Sequence, residues 1–110
     1  MELKKKYVYL SGPMTGLPDY NRQAFNEAEK RLKDMGAYAV FNPASKNIAP
    51  RVTHFTHEAY MCRDLHILTQ HEYGTPMFGV IAMLPGWSTS KGASLEHQIA
   101  MAIGLEVMYL

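Results

Sequence analysis

Phe78-Gly79-Val80-Ile81-Ala82-Met83-Leu84 is the most apolar run in the chain, and it leads through Pro85-Gly86-Trp87-Ser88-Thr89-Ser90-Lys91-Gly92 into Ala93-Ser94-Leu95-Glu96. An apolar run without alternation reads as a central strand buried on both faces, the pattern of a parallel sheet. Beyond it, Leu95, Ile99 and Ile103 recur at helical spacing and predict a helix over 92–103 with those three residues on one side. Gly104 ends that helix, and Glu106-Val107-Met108-Tyr109-Leu110 reads as a last strand. The strand therefore enters a helix through a turn of glycines and hydroxyl residues. Such a turn exposes unpaired backbone N–H groups and the positive end of the helix dipole, which together suit an anion such as phosphate. Glu96, in the first turns of the helix, is placed to act on whatever the anion anchors. The plainer alternative is that it only complements its own helix dipole.

Working back toward the N-terminus, the same alternation repeats. Tyr7-Val8-Tyr9-Leu10 is a short β-prone run stopped by Ser11-Gly12-Pro13. Gly16-Leu17-Pro18-Asp19 offers a turn and a helix N-cap, Phe25, Ala28 and Leu32 follow at helical spacing, and Gly36 marks the end. Tyr38-Ala39-Val40-Phe41 is a second strand, broken by Asn42-Pro43. Residues 44–56 read as an irregular loop over the site. Met61, Leu65 and Leu68 predict an amphipathic helix over 57–70, which Gly74-Thr75-Pro76 terminates. The order β-α-β-α-β-α-β predicts an α/β domain over residues 1–110. The expected architecture is a flavodoxin-like three-layer sandwich with a four- to five-stranded parallel sheet.

Composition narrows the function classes. The 110 residues suffice for one core, and 47% hydrophobic with 19% charged residues is ordinary for a globular domain. A net charge of +1 makes no electrostatic case for nucleic acid. The apolar segment behind Lys4, Lys5 and Lys6 is too short for a membrane span or a signal-peptide core, so no membrane partner is expected. Cys62 is the only cysteine, which excludes an internal disulfide and fits a cytoplasmic location. Cys62 and His66 stand one helical turn apart, with His54 and His57 nearby. Their spacing matches no zinc signature, and Cys62 is expected to be a buried small hydrophobe.

In an open parallel sheet, ligands bind at the carboxyl ends of the strands, near the point where strand order reverses. Three segments arrive there: Ser11-Gly12-Pro13-Met14-Thr15-Gly16 after the first strand, Asn42 after the second, and the 85–92 loop after the third. Ser11, Thr15, Ser88 and Ser90 supply hydroxyls, while Gly12, Gly16 and Gly92 let backbone approach a ligand. Neither loop is a Walker A sequence or a Gly-x-Gly-x-x-Gly fingerprint. A phosphate-bearing small molecule is the leading ligand. Trp87 is placed either to stack on a base or to serve packing or a subunit contact. Asn42 either binds ligand or simply forms a turn with Pro43.

Tyr9-Leu10-Ser11-Gly12-Pro13, Arg63-Asp64-Leu65, and Leu84-Pro85-Gly86-Trp87 followed by Ser90-Lys91-Gly92-Ala93 and Glu96 resemble the nucleoside 2-deoxyribosyltransferase superfamily, and most closely the small DUF4406 proteins. The superfamily includes transferases that exchange bases on deoxyribosides and hydrolases that cleave nucleoside 5′-monophosphates. The resemblance implies Glu96 as the nucleophile at the anomeric carbon, Tyr9 as the hydroxyl orienting it, and Asp64 as the acid assisting the leaving base. Ser90 falls where transferases of free nucleosides carry an aspartate and the monophosphate hydrolases carry a serine. With Gly92 it leans toward a 5′-phosphorylated substrate, because a carboxylate there would repel a phosphate dianion. Glycosidic cleavage needs an ionised carboxylate under the sugar and a proton donor at the base. Glu96 and Asp64 can divide these tasks if burial raises the pKa of only one.

The expected activity is therefore N-glycosidic cleavage of a nucleoside 5′-monophosphate or related deoxynucleoside, with hydrolysis preferred over base transfer and no metal or organic cofactor. Cross-subunit sites in the superfamily imply a homo-oligomer, although the chain ends at its last strand, without the C-terminal segment through which some relatives complete a neighbour's site. Two other readings stay open. One is a non-catalytic nucleotide-binding sensor using the same loops. The other is a phosphoribohydrolase of the lysine-decarboxylase-like type, against which Trp87 counts by replacing that loop's second glycine.

Overall fold

Residues 3–4, 6–45 and 56–110 are described by a computed structural model. The 44–56 stretch read as a loop over the site falls mostly outside them. Four strands form the main sheet: β1 (Tyr7–Ser11), β2 (Ala39–Phe41), β5 (Val80–Met83) and β6 (Glu106–Tyr109). Their order is β2-β1-β5-β6 and every pairing is parallel, with Val8 opposite Val80 and Ser11 opposite Met83. From β1 the chain steps outward to β2, then returns to lay β5 on the other side of β1. Strand order thus reverses between β1 and β5, as the flavodoxin-like arrangement requires.

The pleat sorts the side chains between two layers. Val8, Leu10, Val80 and Ala82 pack on the face covered by α1 (Arg22–Asp34), which contributes Phe25, Ala28 and Leu32 as its sequence spacing predicts. Tyr9, Ile81 and Met83 pack on the opposite face, beneath α2 (His57–Leu68) and α3 (Lys91–Ala102). All four residues of β5 are buried, in keeping with its unbroken apolar run.

Local chemistry sets the helix starts. Thr56 caps α2 by accepting from the Ala59 N–H, and Ser90 caps α3 by accepting from the Ala93 N–H. The start of α1 is less regular and lies later than the expected cap at Asp19. Asp19, Tyr20 and Asn21 all take left-handed backbone, with φ of 49°, 54° and 63°, and α1 begins at Arg22. Left-handed residues with a Cβ are disfavoured. Three contacts hold this turn: Asn21 Nδ2 donates to the Pro13 carbonyl, Arg22 Nη1 to Asp19 Oδ1, and Arg22 Nε to the Ala44 carbonyl.

Three expectations need correction. The buried stripe of α3 is Ala93, Glu96 and Ala100, while Leu95 is exposed and Ile99 and Ile103 only half-buried. The helix is rotated so that Glu96 meets the sheet, and the two alanines let it approach closely. Cys62 is exposed rather than buried, because α2 directs Leu65 and Leu68 to the core and Cys62 lies off that stripe. Finally, α2 stops at Leu68, and a small antiparallel hairpin follows, β3 (His71–Glu72) with β4 (Thr75–Pro76), turned by Tyr73 and Gly74 at positive φ. Among the described residues no helix is long and apolar enough to cross a membrane.

Candidate functional site

The carboxyl ends of β1 and β5 carry a buried polar cluster. Strand alternation sends Tyr9 and Ser11 to the same face, two residues apart, and α3 lays Glu96 across them. Ser11 Oγ donates to Glu96 Oε1 at 2.7 Å, and the Tyr9 hydroxyl donates to Glu96 Oε2. Tyr9 and Ser11 are fully buried and Glu96 is 6% exposed. The Tyr9 ring is fixed by stacking on Phe41 at 5.0 Å and by an edge contact with Phe78 at 5.6 Å. No buried side-chain polar atom lacks a partner among the described residues.

Desolvation by burial pushes the Glu96 carboxyl up to about 7, against the opposing pull of the Ser11 and Tyr9 hydrogen bonds. The neighbouring negative charge of Asp64 adds to the rise and Arg63 opposes it. Burial, and then the Glu96 charge, hold the Tyr9 phenol well above its ordinary range. Asp64 is also raised by burial, although its neighbour Arg63 pulls the other way. Arg63 contacts Asp64 Oδ1 through Nε at 2.9 Å and Nη2 at 2.8 Å. The Tyr9 hydroxyl also lies 3.5 Å from the Asp64 backbone carbonyl. The condition that burial raise only one of the two carboxyls is not met. Both rise, and the large shift is on Glu96.

Beside this cluster lies a cleft of about 630 Å³ between the loop after β1 and the loop entering α3. Pro13, Met14 and Thr15 line it from the first loop, and Ser90 and Gly92 from the second. The remaining expected ligand groups have other positions. Ser11 serves Glu96. Gly12 is required by packing, since a Cβ there would stand 2.7 Å from Leu84 Cβ. Gly16 takes left-handed backbone, at φ +83°, between the lining residues Thr15 and Leu17. Ser88 is exposed, and its carbonyl accepts from Ser94 Oγ at 3.2 Å. Trp87 stacks on His97 at 4.2 Å, and His97 Nε2 lies 2.8 Å from the Tyr109 hydroxyl, which fits the packing alternative for Trp87. Asn42 is buried and fully engaged: its amide donates to Asn26 Oδ1 and Glu29 Oε1, both at 3.0 Å, and its oxygen accepts from Ala44 N.

Two cleft residues with ionisable side chains escaped the sequence reading as ligand groups. Lys91 and His57 both line it, one from the start of α3 and one from the start of α2. The adjacency of Lys91 to Ser90 was a usable signal for the first. Nothing local pointed to His57, because the convergence of the helix starts depends on the crossovers. Among the described residues, no group of three or more His, Cys, Asp or Glu side chains is placed to hold a metal ion.

The fold and site together define a single-domain α/β protein with a buried carboxyl and an adjacent cleft at its topological switch point. The chain belongs to the DUF4406 family, a domain of unknown function, whose model matches residues 6–109. No curated protein and no solved structure shows significant similarity to it.

Proposed function

We propose that the protein cleaves the N-glycosidic bond of a nucleoside or deoxynucleoside 5′-monophosphate, with Glu96 as nucleophile and water as the preferred acceptor. The observation that carries this is the Glu96 carboxyl held between the Tyr9 and Ser11 hydroxyls at the switch point. Two donors orient the carboxylate and stabilise its ionised form inside a desolvated site, as attack on an oxocarbenium-like centre requires. The resemblance of Tyr9, Asp64 and Glu96 to the nucleoside 2-deoxyribosyltransferase pattern supports the same roles, and with them a homo-oligomer.

In the first step a Glu96 oxygen bonds to C1′ as the C1′–N bond breaks, and its electron pair leaves on the base. The departing base takes up a proton from solvent, relayed through Asp64. In the second step water attacks C1′, Glu96 departs as carboxylate, and Asp64 takes the proton from water and passes it to solvent. Carboxyl groups carry every step, without metal or organic cofactor.

Incubation with a panel of nucleoside 5′-monophosphates, followed by chromatography for free base, tests this. Release of base that is lost in Glu96→Ala is the expected result. The cleft lining comes from the loops and the starts of α2 and α3, and not from Glu96, which favours one competing reading, a nucleotide-binding sensor. Saturable binding with no base released from any substrate is what a sensor would give. Exchange with an added second base would mark a transferase.

A further inference from the structure

Arg63 and Asp64 are neighbours on α2, and consecutive side chains on a helix do not face each other. The Arg63 side chain nevertheless folds onto the Asp64 carboxyl, placing Nε at 2.9 Å and Nη2 at 2.8 Å from the same oxygen, Oδ1. Its guanidinium carbon lies 5.1 Å from the centre of the Tyr60 ring, one turn earlier on the helix. A flat cation is thus held between an aromatic face and a carboxylate. The pair is also withdrawn from solvent, with side chains 24% and 13% exposed, whereas each other ion pair among the described residues has a partner more than half exposed. Screening by water is correspondingly weaker here than in those surface pairs.

Both N–H groups fall on Oδ1 and leave Oδ2 without a hydrogen bond or ion pair among the described residues. A guanidinium is a permanent cation that only donates, so a proton on Oδ1 would meet two opposing donors. When Asp64 is protonated, the proton therefore sits on Oδ2. Arg63 is also the cation that opposes the raised carboxyls of Asp64 and Glu96 and the raised phenol of Tyr9, groups brought to it by α2, α3 and β1.

We propose that Arg63 is a positioning residue for the proton relay: it fixes one oxygen of Asp64 through two N–H groups, so that the other oxygen passes the proton to the departing base. The inference rests on the glycosidase reading and deepens it. Oδ2 takes a proton from solvent and hands it to the base nitrogen as the C1′–N bond breaks, and Asp64 returns to the ionised form that Arg63 holds. A leaving group that is stable as an anion needs no such proton, so its departure does not call on the pair.

Steady-state turnover by the full chain tests this on two kinds of substrate, deoxynucleoside 5′-monophosphates and 4-nitrophenyl 2-deoxyriboside 5′-phosphate, whose leaving group departs as a stable anion. Arg63→Met keeps an unbranched stem against Tyr60 without the cation, and Arg63→Lys keeps the cation without the planar fork. General acid assistance contributes about 10²–10⁴-fold, and misdirecting the proton in Arg63→Met is expected to lower kcat on the monophosphates by about thirtyfold, with KM little changed. The loss on the nitrophenyl substrate is expected to be about tenfold smaller. Arg63→Lys is expected to fall between wild type and Arg63→Met with the same split between substrates, and it carries the test if Arg63→Met does not fold. Losses of equal size on the two substrates, or no loss on either, would overturn the role of Arg63 and leave the glycosidase standing. Wild-type protein that releases neither base nor nitrophenolate would remove the glycosidase and this role together.

Discussion

Tyr9 and Glu96 lie 87 residues apart in sequence and form the central hydrogen bond of the site, the phenol on β1 donating to the carboxyl on α3. Only the reversal of strand order between β1 and β5 brings them together, since α3 leaves β5 and folds back over β1. The phenol is held by Phe41 and Phe78, so the carboxyl meets a hydroxyl whose direction is already set.

Tyr9→Phe keeps the ring and its aromatic contacts while deleting the donor. Glu96 then loses one of the two hydrogen bonds that oppose its burial, and its carboxyl rises above about 7. A hydrogen bond to a charged group is worth about 1.5–3 kcal/mol, so the acidic limb of the rate profile is predicted to move up by about one pH unit or more. A kcat/KM profile against pH checks this, and an unmoved limb would show that Tyr9 does not tune Glu96.

Glu96 also links stability to pH. Its carboxyl stands at about 7 when folded against an ordinary value of 4.5, so the native state binds the proton more tightly than the unfolded chain. That contribution is fully present below 4.5 and is lost as pH rises through about 7. Glu96→Gln is therefore predicted to gain stability relative to wild type between pH 5 and pH 8, by an amount on the order of 3 kcal/mol. Denaturant unfolding of both proteins at the two pH values measures the difference. An equal gap at both would mean that Glu96 ionises as freely as in the unfolded chain.

Two glycines of the site differ in what surrounds them. A Cβ on Gly12 meets the Leu84 Cβ at 2.7 Å, whereas one on Gly92 meets the mobile end of Met61 at 3.0 Å. Overpacking against a fixed neighbour costs about 1–3 kcal/mol, while a methionine can turn aside and alanine favours a helix. Gly12→Ala is predicted to lower the melting temperature clearly and Gly92→Ala to change it little. The opposite ranking would contradict the packing described at β1.

Asn42 is predicted to matter for stability and not for ligand. Asn42→Ala leaves Asn26, Glu29 and the Ala44 N–H without their shared partner, a loss of about 1–3 kcal/mol. Thermal unfolding should show the loss, with KM unchanged where activity remains. A raised KM at wild-type stability would return Asn42 to the binding site.

The elements most legible in the sequence were those whose signal is local. Phe25, Ala28 and Leu32 define the buried face of α1 by spacing alone, and the unbroken run through Val80 and Met83 could hardly be other than a central strand. Glu96, Asp64 and Tyr9 stood out through motif resemblance. Their geometry was less accessible, because Leu95 and Ile99 made the stronger periodic stripe and a buried glutamate does not count as apolar. The role of Ser11 as a Glu96 donor depends on the pairing of β1 with β5, which no local pattern encodes. The hairpin of β3 and β4 escaped notice because strands of two residues have no periodicity.

The most direct measurement is the intact mass and peptide map of the protein quenched during turnover of a deoxynucleoside 5′-monophosphate. The account predicts a transient deoxyribose-phosphate ester on the peptide that carries Glu96, absent from Glu96→Gln. Base release without an ester on that peptide, continuing undiminished after Glu96→Gln, would contradict it.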